Sequence, residues 1–134
     1  MTRVVIDSNK IFSLLLSSNI KSRAFLFDND KVFYAPNFLF LEIFRLKEKI
    51  IKYSKLSDED FKETFSIIFE KINFIARSYI SDENKSKAYN LCIDIDEADT
   101  PFIALALQIN AKLWTGDNVL KNGLIKKGIN IFID

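Results

Sequence analysis

The order of elements along the chain predicts a three-layer α/β/α domain around a central, mainly parallel sheet of four to five strands. Two observations carry this. Short apolar runs rich in Val, Ile and Phe alternate with longer amphipathic stretches, which is the pattern of strand–helix–strand crossovers. Gly and Pro are also rare, at 3 and 2 in 134 residues, so the connections are short and the chain reads as one domain spanning residues 1–134.

The elements follow in order. Arg3–Ile6 is an apolar strand that ends in Asp7-Ser8-Asn9, a cluster suited to capping a helix over Ile11–Leu16. Ser22–Asn29 reads as a second helix and Lys31–Ala35 as a second strand, closed by Pro36. Asn37 is placed to cap a long helix from Phe38 to Tyr53. Ser57 caps a helix reaching Lys71, with Asp60 where a capping box would carry Glu. Asn73–Ile80 is a weak third strand. Ser81-Asp82-Glu83 opens a helix to Ile93. Phe102–Gln108 is apolar nearly all round and belongs in the interior. Lys112–Thr115 is a strand, Asp117–Leu124 a short helix and Asn130–Ile133 a final strand.

Composition narrows the chemistry. With 49% hydrophobic and 28% charged residues, the chain can build a core and remain in solution. Histidine is absent, which removes His-based triads, His acid–base catalysis and His-ligated zinc. Cys92 is the single cysteine. It cannot form an internal disulfide, which fits a reducing cytoplasm, and it reads as a small buried hydrophobe. No secretory signal or membrane-length apolar run is visible, so a cytoplasmic, membrane-free setting is expected. The net charge of +1 names no partner.

Chemistry must then rest on carboxylates. In open parallel sheets, ligands bind beyond the carboxyl ends of the strands, where strand order reverses. Asp7 closes the first strand, and Asp117 follows Leu113-Trp114-Thr115 through Gly116. If those strands are neighbours, both acids face one crevice; alternatively, each merely caps the helix after it. The stretch Asp94-Ile95-Asp96-Glu97-Ala98-Asp99 sets four acids close together. Two unit charges ~4 Å apart repel by roughly 4 kcal/mol at an effective dielectric near 20, and a cation relieves this. The alternative is a solvated acidic helix start, with either Thr100 as the cap or the helix beginning at Asp96. Glu42 sits among Phe38-Leu39-Phe40-Leu41 and Ile43-Phe44, out of place on an ordinary helix unless it pairs with Arg45.

These positions, in this order, resemble the PIN-domain nuclease family. The matching segments are Val4-Val5-Ile6-Asp7-Ser8-Asn9, Leu41-Glu42-Ile43, Asp96-Glu97-Ala98-Asp99-Thr100-Pro101-Phe102-Ile103-Ala104, and Leu113-Trp114-Thr115-Gly116-Asp117. The resemblance covers essentially the whole chain. It implies a metal-dependent endoribonuclease, as in the toxins of toxin–antitoxin pairs and related stand-alone proteins. By that resemblance Asp7, Glu42, Asp99 and Asp117 are the acidic positions of the site and Asp96 an additional acid. Ser8, Asn9 and Thr115 are the polar residues that support them. The implied cofactor is Mg2+ or Mn2+, hard cations that prefer carboxylate and water oxygens. The implied partners are an RNA substrate, a second copy of the chain and a small antitoxin. Many members carry another acid two positions after the last aspartate; this chain has Val119 there, which bears on whether two ions bind.

Lys10, Arg45 and Lys49 are the candidates for nucleic-acid contact: Lys10 lies near Asp7, and Arg45 and Lys49 lie on the helix that carries Glu42, with Lys47, Lys52 and Lys55 on or after that helix and Lys121 after Asp117. Two other readings stand beside the nuclease. One is a catalytically degenerate RNA-binding or protein-interaction module of the same family. The other is a doubly wound magnesium-dependent phosphatase, for which Asn9 stands where a second aspartate is wanted. A Rossmann cofactor domain is excluded by the missing Gly-x-Gly-x-x-Gly.

Overall fold

The computed structural model describes residues 1–17 and 19–133. Four strands, β1 (Thr2–Ile6), β2 (Lys31–Pro36), β3 (Ile72–Ile75) and β4 (Lys112–Trp114), form one sheet in the order β3-β2-β1-β4. Every pairing is parallel. Seven α-helices complete the described residues: α1 (Ser8–Leu16), α2 (Ile20–Phe27), α3 (Phe38–Tyr53), α4 (Asp58–Lys71), α5 (Asp82–Cys92), α6 (Thr100–Ile109) and α7 (Asn118–Lys126). Helices α1, α3 and α4 pack together, and α5 packs with α6 and α7. The two groups enclose the sheet in the expected α/β/α sandwich.

Parallel strands covered on both faces need apolar residues at successive positions. Val4, Val5 and Ile6 of β1 are accordingly all fully buried. Helix α6 contacts β1, β2 and β4 and buries Phe102, Ile103, Ala104, Leu105 and Ala106. Each large side chain among these contributes roughly 1.5–3 kcal/mol by leaving water. Phe25, Phe33 and Trp114 form an aromatic cluster, with 4.4 Å between the centroids of Phe25 and Trp114. No helix among the described residues is long and apolar enough to cross a membrane.

The elements depart from the sequence expectation at four places, and the second helix is also shifted, running Ile20–Phe27 in place of Ser22–Asn29. The third strand stops at Ile75 and not Ile80. Its last partner is Pro36, where β2 ends, and with no strand beside it the chain turns into a 3-10 segment at Arg77–Tyr79. The expected final strand makes only one bridge, Phe132 beside Leu113, through the Leu113 N–H to the Ile131 carbonyl and the Ile133 N–H to the Leu113 carbonyl. A three-residue β4 offers no more ladder than this. Asn37 precedes α3, but its side chain does not cap it. Its backbone is already helical (φ −62°, ψ −30°) and its N–H is held by the Ile75 carbonyl at 2.9 Å, whereas a capping side chain needs extended backbone. Finally, Thr100 is not a cap but the first residue of α6.

Candidate metal centre

The strand order places β1 between β2 and β4. The chain runs outward through β2 and β3, then returns to the opposite side of β1. Order therefore reverses between β1 and β4, and at such a point the flanking loops diverge and leave a crevice at the carboxyl edge. Ile6 lies directly beside Trp114 in the register, so the residues that follow, Asp7 and Thr115, emerge together.

Both aspartates at these strand ends cap the helices after them. The Lys10 N–H donates to Asp7 Oδ1 at 2.9 Å, and the Leu120 N–H to Asp117 Oδ1 at 3.1 Å. Capping and site-building are thus not alternatives here, because each carboxylate has a second oxygen. On Asp7 that oxygen accepts a hydrogen bond from the Thr115 hydroxyl. Thr115 Oγ1 in turn accepts from the Asp117 N–H at 3.1 Å. One hydroxyl, only 1% exposed, therefore ties the acid of β1 to the loop after β4. Burial pushes the Asp7 carboxyl above its ordinary range, against the pull of the bonds from Thr115 and Lys10.

The acidic stretch before α6 supplies the rest. Asp96 caps a 3-10 turn at Glu97–Asp99, accepting from the Ala98 N–H at 3.0 Å. That turn runs directly into α6, so Asp99 stands at the head of α6 without capping it. Asp99 Oδ2 is buried and has no hydrogen-bond partner. Desolvation raises its pKa to about 6, helped by the negative charges of Asp96, Asp117 and Asp7. Asp96, Asp99 and Asp117 each bring a carboxylate oxygen within 4.8 Å of the others.

Three such oxygens, from a group that includes Asp99 with its buried Oδ2, match what a hard divalent cation requires. A buried polar atom without a protein partner is uncommon, and on a carboxylate among other carboxylates a bound cation is one arrangement that satisfies it. The residues present fit a hard divalent cation, which Asp96, Asp99 and Asp117 would hold with Asp7 alongside. Glu42 is not brought into this group. It lies half-buried on α3, and no carboxylate cluster among the described residues includes it. Of the supporting polar residues, Thr115 holds Asp7, whereas Ser8 begins α1 and Asn9 is exposed on it. Of the three candidate cations Lys10 acts on the site, its charge favouring the ionised form of Asp7, while its Nζ lies 5.3 Å from the centroid of the Trp114 ring. Arg45 and Lys49 are exposed on α3.

Sequence reasoning missed how α7 is seated. Gly123 lies on α7 where a Cβ would come within 2.6 Å of Ile95 Cδ1 and 2.9 Å of its Cγ1. Four residues on, Lys127 bonds the Leu91 carbonyl at 2.9 Å and pairs with Asp94. The helix that starts at Asp117 is thereby clamped to the segment that carries Asp96 and Asp99. A glycine inside a helix, where Ala is favoured by about 1 kcal/mol, is the visible signal for such a close approach. Gly123→Ala is expected to destabilise the chain by about 1 kcal/mol, as crowding against Ile95 outweighs the helix gain. In an Ile95→Ala background the same change should turn stabilising. Urea titrations of the four proteins read this reversal, and equal effects in both backgrounds would refute the clamp.

A profile of the PIN domain matches residues 5–130. No curated protein matches the chain. A match over nearly the whole length, together with the all-parallel sheet and acids gathered at its reversal point, shows that the chain belongs to the PIN-domain family.

Proposed function

We propose that this chain is a metal-dependent endoribonuclease that hydrolyses RNA phosphodiester bonds in the cytoplasm. The observation that carries the reading is the meeting of Asp96, Asp99 and Asp117 within 4.8 Å at the carboxyl edge of a PIN-domain sheet. Mg2+ or Mn2+ bound there would supply Lewis acidity to a phosphate oxygen and an acidified water. Asp99 offers its unpartnered oxygen as a ligand. Asp117 is oriented by its own helix cap, and Asp7 by Thr115 and Lys10. Without a cation these carboxylates repel a phosphodiester, so seating of the scissile phosphate and metal binding go together, whereas nucleotides held away from the cluster need no metal.

The same reading includes a homodimer and, if the chain is the toxin of a pair, a small antitoxin. Phe44 and Ile51, exposed one heptad apart on α3, support the second copy, since exposed apolar stripes mark contact surfaces.

The test is cleavage of a panel of structured and single-stranded RNA and DNA, with magnesium, with manganese and with chelator, for wild type beside Asp7→Asn. Cleavage of RNA with either metal, absent in chelator and lost in the variant, is the expected result. Intact RNA under both metals would overturn the catalytic reading, and a calorimetric manganese titration would then decide whether the acids bind a cation in a non-catalytic module.

A further inference from the structure

A cleft of about 860 Å³ opens between the start of α3, the segment after β3, α5 and the start of α6. Its volume lies within the roughly 300–1,000 Å³ of small-molecule pockets. Glu97 and Thr100 line it, so the cleft borders the turn that carries Asp96 and Asp99 at the head of α6, although none of the clustered aspartates lines it.

Its walls combine two chemistries. Phe38 and Tyr89 line it while remaining 42% and 44% exposed. Phe38 is braced from behind by Phe102, with 5.7 Å between centroids in an edge-to-face arrangement. It is therefore a fixed platform with an open side. Arg77 and Lys85 also line the cleft. Among the described residues neither pairs with a carboxylate. Asn37, whose side chain is not spent on capping α3, adds an amide. Open aromatic rings beside unpaired cations are what an unstacked nucleotide needs: a ring to stack its base and cations to meet its phosphate. A wholly apolar occupant would leave Arg77 and Lys85 without partners.

We propose that this cleft is a nucleotide subsite, in which one unstacked base of a single-stranded RNA rests on Phe38 or Tyr89 and its phosphate is met by Arg77 and Lys85. The inference rests on the nuclease reading for the identity of its ligand. It goes beyond that reading in assigning a nucleotide position to residues outside the acidic cluster. A base locked in a duplex cannot enter.

The test is fluorescence anisotropy with a labelled single-stranded RNA and a hairpin of the same length, in chelator so that cleavage plays no part. Wild type should bind the single strand more tightly. Tyr89→Ala should weaken binding at least about fivefold, while Tyr89→Phe retains it. Removing Lys85 as Lys85→Ala should lower the slope of log affinity against log salt by about 0.7, as one lost phosphate contact predicts; Tyr89→Ala should leave that slope unchanged. Wild-type affinity and slope in both alanine variants would overturn the subsite even if the protein cleaves RNA. Loss of binding in Tyr89→Ala by a protein that never cleaves would uphold the subsite while the catalytic reading fails. No single-strand binding by wild type would overturn it, as would a change from dimer to monomer by light scattering in Tyr89→Ala with RNA affinity per protomer unaltered, which would make the cleft a contact between copies.

Discussion

Asp99→Asn is expected to make the metal-free protein more stable at pH 7.5 while abolishing its response to manganese. The Asp99 carboxyl is partly buried, its Oδ2 has no hydrogen-bond partner, and Asp96, Asp117 and Asp7 surround it with negative charge. Its pKa rises from 3.8 to about 6. The folded chain thus holds this proton more tightly than the unfolded chain does. Below pH 3.8 both states are protonated and the group costs nothing. Stability is lost as pH rises from there to about 6, and the full penalty stands at neutral pH. Allowing for solvent around a half-buried site, that penalty is about 1–2 kcal/mol. The neutral amide removes it, so the chelated variant should melt a few degrees above wild type at pH 7.5 and level with it near pH 4. Saturating manganese should reverse the order. A cation at a hundred times its dissociation constant stabilises wild type by about 2.7 kcal/mol, and the variant has lost a ligand. The wild-type response should fade below pH 6 as protons compete for Asp99. Cleavage should fall by at least the roughly 10–100-fold that follows loss of even an outer partner of a metal ligand. Thermal melts at the two pH values, with manganese and with chelator, read both halves. A variant that is less stable than wild type in chelator at pH 7.5 would show that the cluster is not electrostatically strained.

Much of this arrangement was legible in the residues, and the reasons separate the parts that were from the parts that were not. The α/β/α order follows from local patterns: Val4-Val5-Ile6 can only be a strand covered on both faces, and Phe102–Ala106 only an interior helix. Asp7 and Asp117 were placed because strand ends are local features and a parallel sheet sends them to one edge. The length of the third strand was not legible, because β3 ends where Pro36 ends its neighbour, a fact about pairing and not about the Asn73–Ile80 segment. The same holds for Asn37, whose backbone is set by the bond its N–H donates to the Ile75 carbonyl. Glu42 shows what a single helix leaves open: its apolar surroundings set it apart, but the rotation of α3 about its axis follows from packing on α1 and β2, which no local pattern encodes. Arg77 and Lys85 show the same dependence on packing: they reach the cleft from segments that no local pattern connects to α3.

Thr115→Val is the second substitution with a large expected effect, and its contrast with Thr115→Ser isolates one hydroxyl. Valine matches threonine in shape, so no cavity opens and the change removes hydrogen bonds alone. Two partners lose theirs: Asp7 Oδ2, on a carboxylate 5% exposed, and the Asp117 N–H. Each unmet buried group costs about 1–3 kcal/mol, and an acceptor that bears charge lies at the upper end. The expected loss is about 2–4 kcal/mol in urea unfolding, with an unchanged slope against denaturant. The hydroxyl also lowers the Asp7 pKa, so in the valine variant burial pushes that carboxyl higher still and favours its neutral form. A neutral Asp7 beside the cluster and an untethered Asp117 both weaken cation binding, by about 10–100-fold in a manganese titration. Serine keeps the hydroxyl and loses one methyl, at a cost of about 1 kcal/mol, and should bind manganese as wild type does. If valine proves as stable as serine and binds manganese equally well, the bridge between β1 and the loop after β4 is incidental. If valine fails in both measurements while serine fails in neither, one buried hydroxyl accounts for how two strand ends far apart in sequence hold their acids in register, and the single threonine between Trp114 and Gly116 becomes as necessary to the site as the carboxylates themselves.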